Sequence, residues 1–367
     1  MMNKPTKSFW VGAICLAVVL VLAIILTVVG MTIAGNRGVM TLHSNTVDKQ
    51  LYAYWQARFR YEYLIYYAED GATDTEQFWN QVKDEKTGTT YGEDCQTITD
   101  NLIERIVISA YLFDLSGNTL SDSYREKIKL VTEERVNVGV FKGKKDYNEK
   151  ASFFGFDWDT YVEAMIYEVK ADLLASMFVP TEEMQHAFYE EEYVRVKMVF
   201  VSAEQLQSAD TVTLIRSALE NGADATQFDR WVTDPTYNSD TGSTLYTEGY
   251  YFSKTSAFAE EYFTYRPTVK NAIFGLATSG DWCEVTLTKE GDKGTLFIYR
   301  YDKPETPAYK TNTNSDFFTD LTRDAADEYF TSWINSYRED VVWYAERKET
   351  IPAAGYGGEV GLYMFFS

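Results

Sequence analysis

His43 and His186 are the only two histidines in this chain of 367 residues, and neither has a cysteine or a second histidine at a metal-ligand spacing. Zinc sites and histidine-based triads are therefore not expected, and the sequence calls for no cofactor. The cysteines are Cys15, Cys95 and Cys283. Cys15 lies in the middle of an apolar run, where it reads as a small buried side chain. Cys95 and Cys283 could close a single bridge or remain apart, and sequence does not choose between the two. Gly355, Gly357, Gly358 and Gly361 fall in a C-terminal tail over 350–367, without the strand-to-helix context of a phosphate-binding loop. That tail is expected to be loosely held. With 55 acidic residues, adjacent carboxylates arise by chance, and a pair such as Glu190 and Glu191 reads as a solvated face.

Chemistry of this restricted kind must be read from where the chain is held. Phe9 to Ile33 carries no charged residue and is preceded by Lys4 and Lys7. A helix of that length exceeds the roughly 30 Å hydrocarbon thickness of a bilayer. Residues 9–33 are thus expected to be a transmembrane anchor, with 1–8 a cytoplasmic stub by the positive-inside rule and the bulk outside. The run is longer than the apolar region of a cleaved signal, and Thr32-Ile33-Ala34 is a poor cleavage site. A net charge of −21 excludes a broad basic footprint, so nucleic acid is not an expected partner. Hydrophobic residues make up 45% and aromatic residues 16%, enough to build about two cores.

Residues 46–193 read as a helical domain. From Thr46 to Tyr67, Tyr52, Trp55, Phe59, Tyr63 and Tyr66 recur at spacings of three and four, so they share one helical face that is expected to be covered intramolecularly. A second helix is expected from about Thr97 to Leu115, burying Ile98, Leu102, Ile106, Ala110 and Phe113. A third follows the Gly117–Asp122 break, with Ser123 and Glu126 at capping-box spacing. Gly143 to Lys150 reads as a charged linker, and Phe153 to Phe178 as another helix. Pro180 stops it, and Thr181 caps a short helix over Glu182 to Glu192.

The period then changes. Val194, Val196, Met198 and Phe200 alternate along a strand, opening a mixed α/β module over 194–304. Helices are expected at 206–221, 228–233, 256–265 and 269–276, and strands at Trp282–Leu287 and Thr295–Tyr301. A last helix over 316–349 repeats Phe318, Leu321, Ala325, Tyr329, Trp333, Tyr337, Val341 and Tyr344. Its apolar face needs a partner, and packing on the helical domain would supply one. The expected fold class is α+β: a discontinuous all-α domain with the mixed module inserted into it.

This plan resembles the SurA/PrsA family of extracytoplasmic foldases. Ala110 to Asp122, followed by Phe154-Gly155-Phe156-Asp157-Trp158-Asp159-Thr160-Tyr161, is similar to the family's N-terminal chaperone module. Val194 to Pro304 resembles its parvulin-type prolyl isomerase domain, through Arg195–Val201, Asn221-Gly222-Ala223 to Phe228, Ala272-Ile273-Phe274-Gly275-Leu276 and Leu296–Tyr301. The resemblance places the pocket of that domain at Lys197, Val269, Phe274 and Leu296. Lys197 and Leu296 stand where the family carries histidines, and Val269 where it carries an aromatic residue. A strand lysine is expected to face solvent. The resemblance implies a membrane-anchored chaperone for unfolded or nascent exported polypeptides, with isomerase activity weak or absent. Two alternatives are an active prolyl isomerase using other groups and an assembly factor for one envelope partner.

Overall fold

A computed structural model of the chain describes residues 38–205, 207–240, 249–254, 267–289, 293–304, 316–353 and 360–366. The expected anchor at 9–33 and the expected helix at 256–265 lie outside the described residues. Among the described residues no helix is long and apolar enough to cross a membrane. The structure is mixed α+β and divides into two compact units, one formed by the chain up to Met177 together with Trp333 onward, the other by Phe178–Ser332.

The first unit opens on a hairpin, β1 (Met40–Leu42) and β2 (Asn45–Val47), leading into α1 (Lys49–Tyr66). Asp48 caps α1 by accepting from the Leu51 amide at 2.9 Å, which is why the helix starts after Val47 and not at Thr46. Tyr52, Trp55, Phe59 and Tyr63 are buried, as their spacing predicts, whereas Tyr66 at the open end of the helix is 80% exposed. The stretch after it is not featureless. It holds α2 (Glu76–Trp79) and a hairpin of β3 (Val82–Asp84) and β4 (Thr89–Thr90). Thr90 and Glu93 form a reciprocal capping box, so α3 (Tyr91–Leu115) starts six residues earlier than expected.

The buried face of α3 is also rotated from the expected stripe. Thr99, Ile103 and Val107 face inward with Ala110 and Phe113, while Leu102 and Ile106 are only half-buried and Ile98 is exposed. Both stripes are apolar, and the packing of α3 on α1 and α6 selects one. Ser121, not Ser123, caps α4 (Asp122–Val138), accepting from the Tyr124 amide at 3.2 Å. The expected charged linker is helical: Gly143, with φ of 96°, turns the chain into α5 (Lys144–Ala151). A 3-10 turn and Gly155 then separate α5 from α6 (Trp158–Met177), which starts five residues after Phe153.

In the second unit, Thr181 caps α7 (Glu182–Glu192) through the Met184 amide. A four-stranded antiparallel sheet follows in the order β6-β5-β8-β7, from β5 (Val194–Ser202), β6 (Tyr250–Phe252), β7 (Trp282–Leu287) and β8 (Gly294–Tyr301). One face packs on α8 (Ser208–Glu220) and α9 (Ala225–Thr233), and the other on α10 (Pro267–Gly275). Period-two alternation thus divides β5 between two cores, with Val194, Val196 and Met198 on the α10 side and Val199 and Val201 on the other.

The helix expected over 316–349 closes early, as α11 (Asp316–Asn335). The Ser336 hydroxyl donates to the Trp333 carbonyl at 2.7 Å, satisfying one group at the helix end. Leu321 and Ala325 of α11 pack with Phe188, Tyr189 and Tyr193. Beyond it, Val341–Trp343 is a strand, β9, and pairs antiparallel with β1 in the register Met40↔Trp343 to Leu42↔Val341. The chain therefore rejoins its first unit through backbone pairing, which a continued helix could not provide. The expected loose tail is held at its end, where α12 (Tyr363–Phe366) packs on the first unit.

Candidate functional site

Of the four positions singled out from sequence, three share one core and Lys197 stands apart from them. Val269 and Leu296 are fully buried in the α10-side core, with Phe274 packed at its edge. Lys197 lies on the opposite face, because it pairs with Tyr299, whereas Leu296 pairs with Phe200 three residues along, an odd separation that reverses the face. Nor does Lys197 face solvent. It is 6% exposed, its ammonium donates to Asp229 Oδ1 at 2.6 Å, and it sits 4.9 Å from the Tyr301 ring centre. The Tyr301 hydroxyl donates to the same carboxylate oxygen at 2.8 Å, and burial followed by that bond holds its phenol well above the usual range. This cluster ties α9 to the central strands and is fully occupied with itself.

The core that does contain Val269 and Leu296 is apolar throughout its buried members, among them Val196, Met198, Ile273 and Ile298. The nearest reactive atom is Cys283 Sγ, 3.8 Å from the Ala272 carbonyl, and burial pushes its thiol up to about 11. Among the described residues no acid or base belongs to this core. A cavity of about 280 Å³ does open in this unit, at one end of the sheet among Val201, Ala209, Val212 and Leu287, and none of the four positions lines it.

Neither histidine assembles a site. His43 Nε2 lies 3.3 Å from Asp340 Oδ2, and its ring stacks on Tyr111 with ring centres 5.0 Å apart. His186 is exposed on α7. Among the described residues, no group of three histidine, cysteine or acidic side chains could hold a metal ion. Cys95 and Cys283 are free thiols.

The denser constellation is in the first unit and was not singled out from sequence. Glu168 of α6 accepts from Trp55 Nε1 at 3.0 Å and from the Arg58 guanidinium, joining α6 to α1. Burial pushes its carboxyl up, against the pull of Arg58. Beside this pair, Tyr54, Phe141, Tyr147, Phe154, Phe156 and Tyr161 form a continuous buried aromatic wall contributed by α1, α5, α6 and the turns between them. Burial holds the phenols of Tyr54 and Tyr147 well above their ordinary range, so both are neutral donors. Two cavities adjoin the wall. One of about 230 Å³ is lined in part by Ala53, Phe153, Phe154 and Ile351, and one of about 110 Å³ by Val136, Phe141, Tyr147 and Phe365. The constellation's signals in the sequence were Trp55 on the aromatic stripe of α1 and the Phe154–Tyr161 segment, whereas Tyr54, Phe141, Tyr147 and the 362–366 segment were not read as belonging with them.

The arrangement can bind apolar and aromatic groups, and among the described residues its one buried carboxylate, Glu168, is held by Trp55 and Arg58. No protein-family model matches the chain, and no curated protein matches it. Among solved structures it is similar to foldase protein PrsA from Streptococcus pneumoniae strain Canada MDR_19A, at 16% identity, over 71% of this chain and 94% of that one, with a TM-score of 0.22.

Proposed function

We propose that this chain is a membrane-anchored extracytoplasmic chaperone or foldase that binds unfolded exported polypeptides, and that its 194–304 module has no prolyl isomerase activity. The observation that carries the reading is an exposed aliphatic patch on the first unit. Helix α4 buries only Ile128, Thr132 and Val136. On its outward side Leu130, Val131 and Val138 are 64%, 55% and 79% exposed, and Val140 just beyond is 57% exposed. Val131 and Val138, seven residues apart, stand above one another on the helix. Glu134 and Arg135 occupy the turn between Val131 and Val138, so these exposed aliphatic side chains form a patch interrupted by charge, suited to weak contact with other chains. The net charge of −21 over the whole chain opposes self-association, although α4 itself carries equal numbers of acidic and basic residues.

Loss of isomerase activity is supported by residue types. The barrier to X-Pro rotation is roughly 20 kcal/mol, and lowering it requires polar groups poised at a shaped pocket. Leu296 is buried in apolar packing, and Lys197 is committed to Asp229 on the other face of the sheet. The anchor at 9–33 would raise the local concentration of a weak, promiscuous binder where exported chains emerge.

Light scattering of an aggregating client with a soluble fragment beginning at Gly38 tests the reading. Suppression at stoichiometric amounts is expected, and a Leu130→Ser, Val131→Ser, Val138→Ser variant should lose most of it. No suppression by the unaltered fragment sinks the proposal. A single dominant crosslinked partner in cells would point to a dedicated assembly factor, and catalysed isomerisation of a proline peptide would overturn the second half.

A further inference from the structure

The aromatic wall of the first unit is occupied by the chain itself. Phe365 lies with its ring centre 5.0 Å from Phe141, 5.3 Å from Tyr147, 5.5 Å from Phe156 and 5.8 Å from Phe154. Phe366 lies 5.7 Å from Tyr54 and 6.0 Å from Tyr61. These are offset and edge-on separations, the favourable range for aromatic pairs.

The way this segment is held differs from the way the rest of the unit is held. Its backbone closes one helical turn through Met364 N to Gly361 O and Phe365 N to Leu362 O, both 3.0 Å and both internal to the segment. Its attachment to the wall is made of ring contacts and the buried Leu362. Such contacts are non-directional, so another apolar side chain of similar shape can replace them. By contrast β9, nearby in sequence, is fixed by a backbone ladder to β1. The fit of Phe365 is also incomplete, because a cavity of about 110 Å³ remains between Phe365, Met364 and the wall, where a settled core would be close-packed.

We propose that this wall is a binding site for polypeptide segments carrying two adjacent aromatic residues, and that Leu362–Phe366 is its displaceable intramolecular occupant. The inference rests on the chaperone reading for its biological meaning; its rings are separate from Leu130, Val131 and Val138, and only Val140 of the exposed patch also lines the 110 Å³ cavity. The bound segment of a partner would place its first ring where Phe365 lies and its second against Tyr54 and Tyr61. Because the tethered occupant competes at high effective concentration, the intact chain binds weakly and the emptied site binds well. The unfilled volume predicts a preference for tryptophan at the first ring position.

The experiment uses the fragment beginning at Gly38, with and without residues 362–367, and a labelled peptide of sequence Leu-Tyr-Met-Phe-Phe-Ser read by fluorescence anisotropy. The shortened form should bind at least tenfold more tightly than the intact fragment. Replacing the first phenylalanine of the peptide by alanine should abolish binding, and replacing it by tryptophan should strengthen it. A full-length Phe365→Ser variant, which keeps the backbone, should also gain peptide binding. The proposal is overturned if the shortened form is folded by near-ultraviolet circular dichroism and does not bind. It is equally overturned if both altered forms lose cooperative melting, because the segment is then a part of the core. Peptide binding without client protection leaves this inference standing and removes the chaperone reading; protection without peptide binding does the reverse.

Discussion

Replacing Lys197 by methionine separates a structural lysine from a catalytic one. Methionine keeps the aliphatic stem, so the buried volume between the sheet and α9 is nearly conserved. What is lost is the 2.6 Å bond to Asp229 Oδ1 and the ammonium's position 4.9 Å from the Tyr301 ring centre. Removing one member of a buried pair ordinarily costs roughly 3–5 kcal/mol, because the survivor is stranded. Here the survivor is not stranded: the Asp229 side chain is 46% exposed, and Tyr301 still donates to it at 2.8 Å. Water takes over most of the lost interaction, which brings the expected cost to about 1–2 kcal/mol. With a urea slope of about 2 kcal/mol/M, the midpoint falls by about 0.5–1 M. Hydrogen exchange of peptides covering β5 and α9, followed through a urea titration, reads this unit separately from the other. A loss above about 4 kcal/mol would show that Asp229 is left desolvated, contrary to its exposure. A measurable isomerase rate that disappears in Lys197→Met would refute the structural role altogether.

Trp55→Ala empties a fully buried indole site and deprives Glu168 of a donor, so the first unit should lose about 4 kcal/mol in thermal or denaturant unfolding, against less than half of that for Trp55→Phe. Burial pushes the thiols of Cys95 and Cys283 each up to about 11, so at pH 8 only about one in a thousand of either is thiolate. Disulfide-exchange reagents should therefore label them slowly in the native protein and at once in guanidinium. The carboxyl of Asp324, with Oδ2 buried and lacking a hydrogen-bond partner, is pushed up by burial against the pull of Arg323. The folded state then holds this proton more tightly than the unfolded state, so stability falls as pH rises from the unfolded value through the folded one. Asp324→Asn should raise the melting temperature at pH 7 and leave it nearly unchanged at about pH 3, where the wild-type carboxyl is already mostly neutral.

Element types were readable where periodicity and caps agreed. The Thr181 cap, the alternation over β5 and the β7 and β8 strands all follow from spacings of two, three or four residues, which are properties of a few consecutive side chains. Reading failed where two local solutions were equally apolar. On α3 the stripe through Ile98, Leu102 and Ile106 and the stripe through Ile103 and Val107 are both credible faces, and only the helices packed against α3 select the second. It failed again at Val341–Trp343. The residues at 341 and 344 continue the helical spacing, yet their partner strand lies some 300 residues earlier and is invisible to any local window.

The candidate site divides in the same way. Sequence by itself determined that only two histidines are available and that neither has a cysteine or second histidine at a local metal-ligand spacing. It also determined the acidic balance and the uncharged run at 9–33, which are sums over residues. Only the tertiary structure decided that Lys197 is buried on one face of the sheet with Asp229, while Val269 and Leu296 lie on the other. It alone brought Phe365 against Phe141, Tyr147, Phe154 and Phe156. The physical reason is that residue type and period are local, whereas the face a side chain shares and the rings it meets are fixed by pairing and packing between segments far apart in the chain.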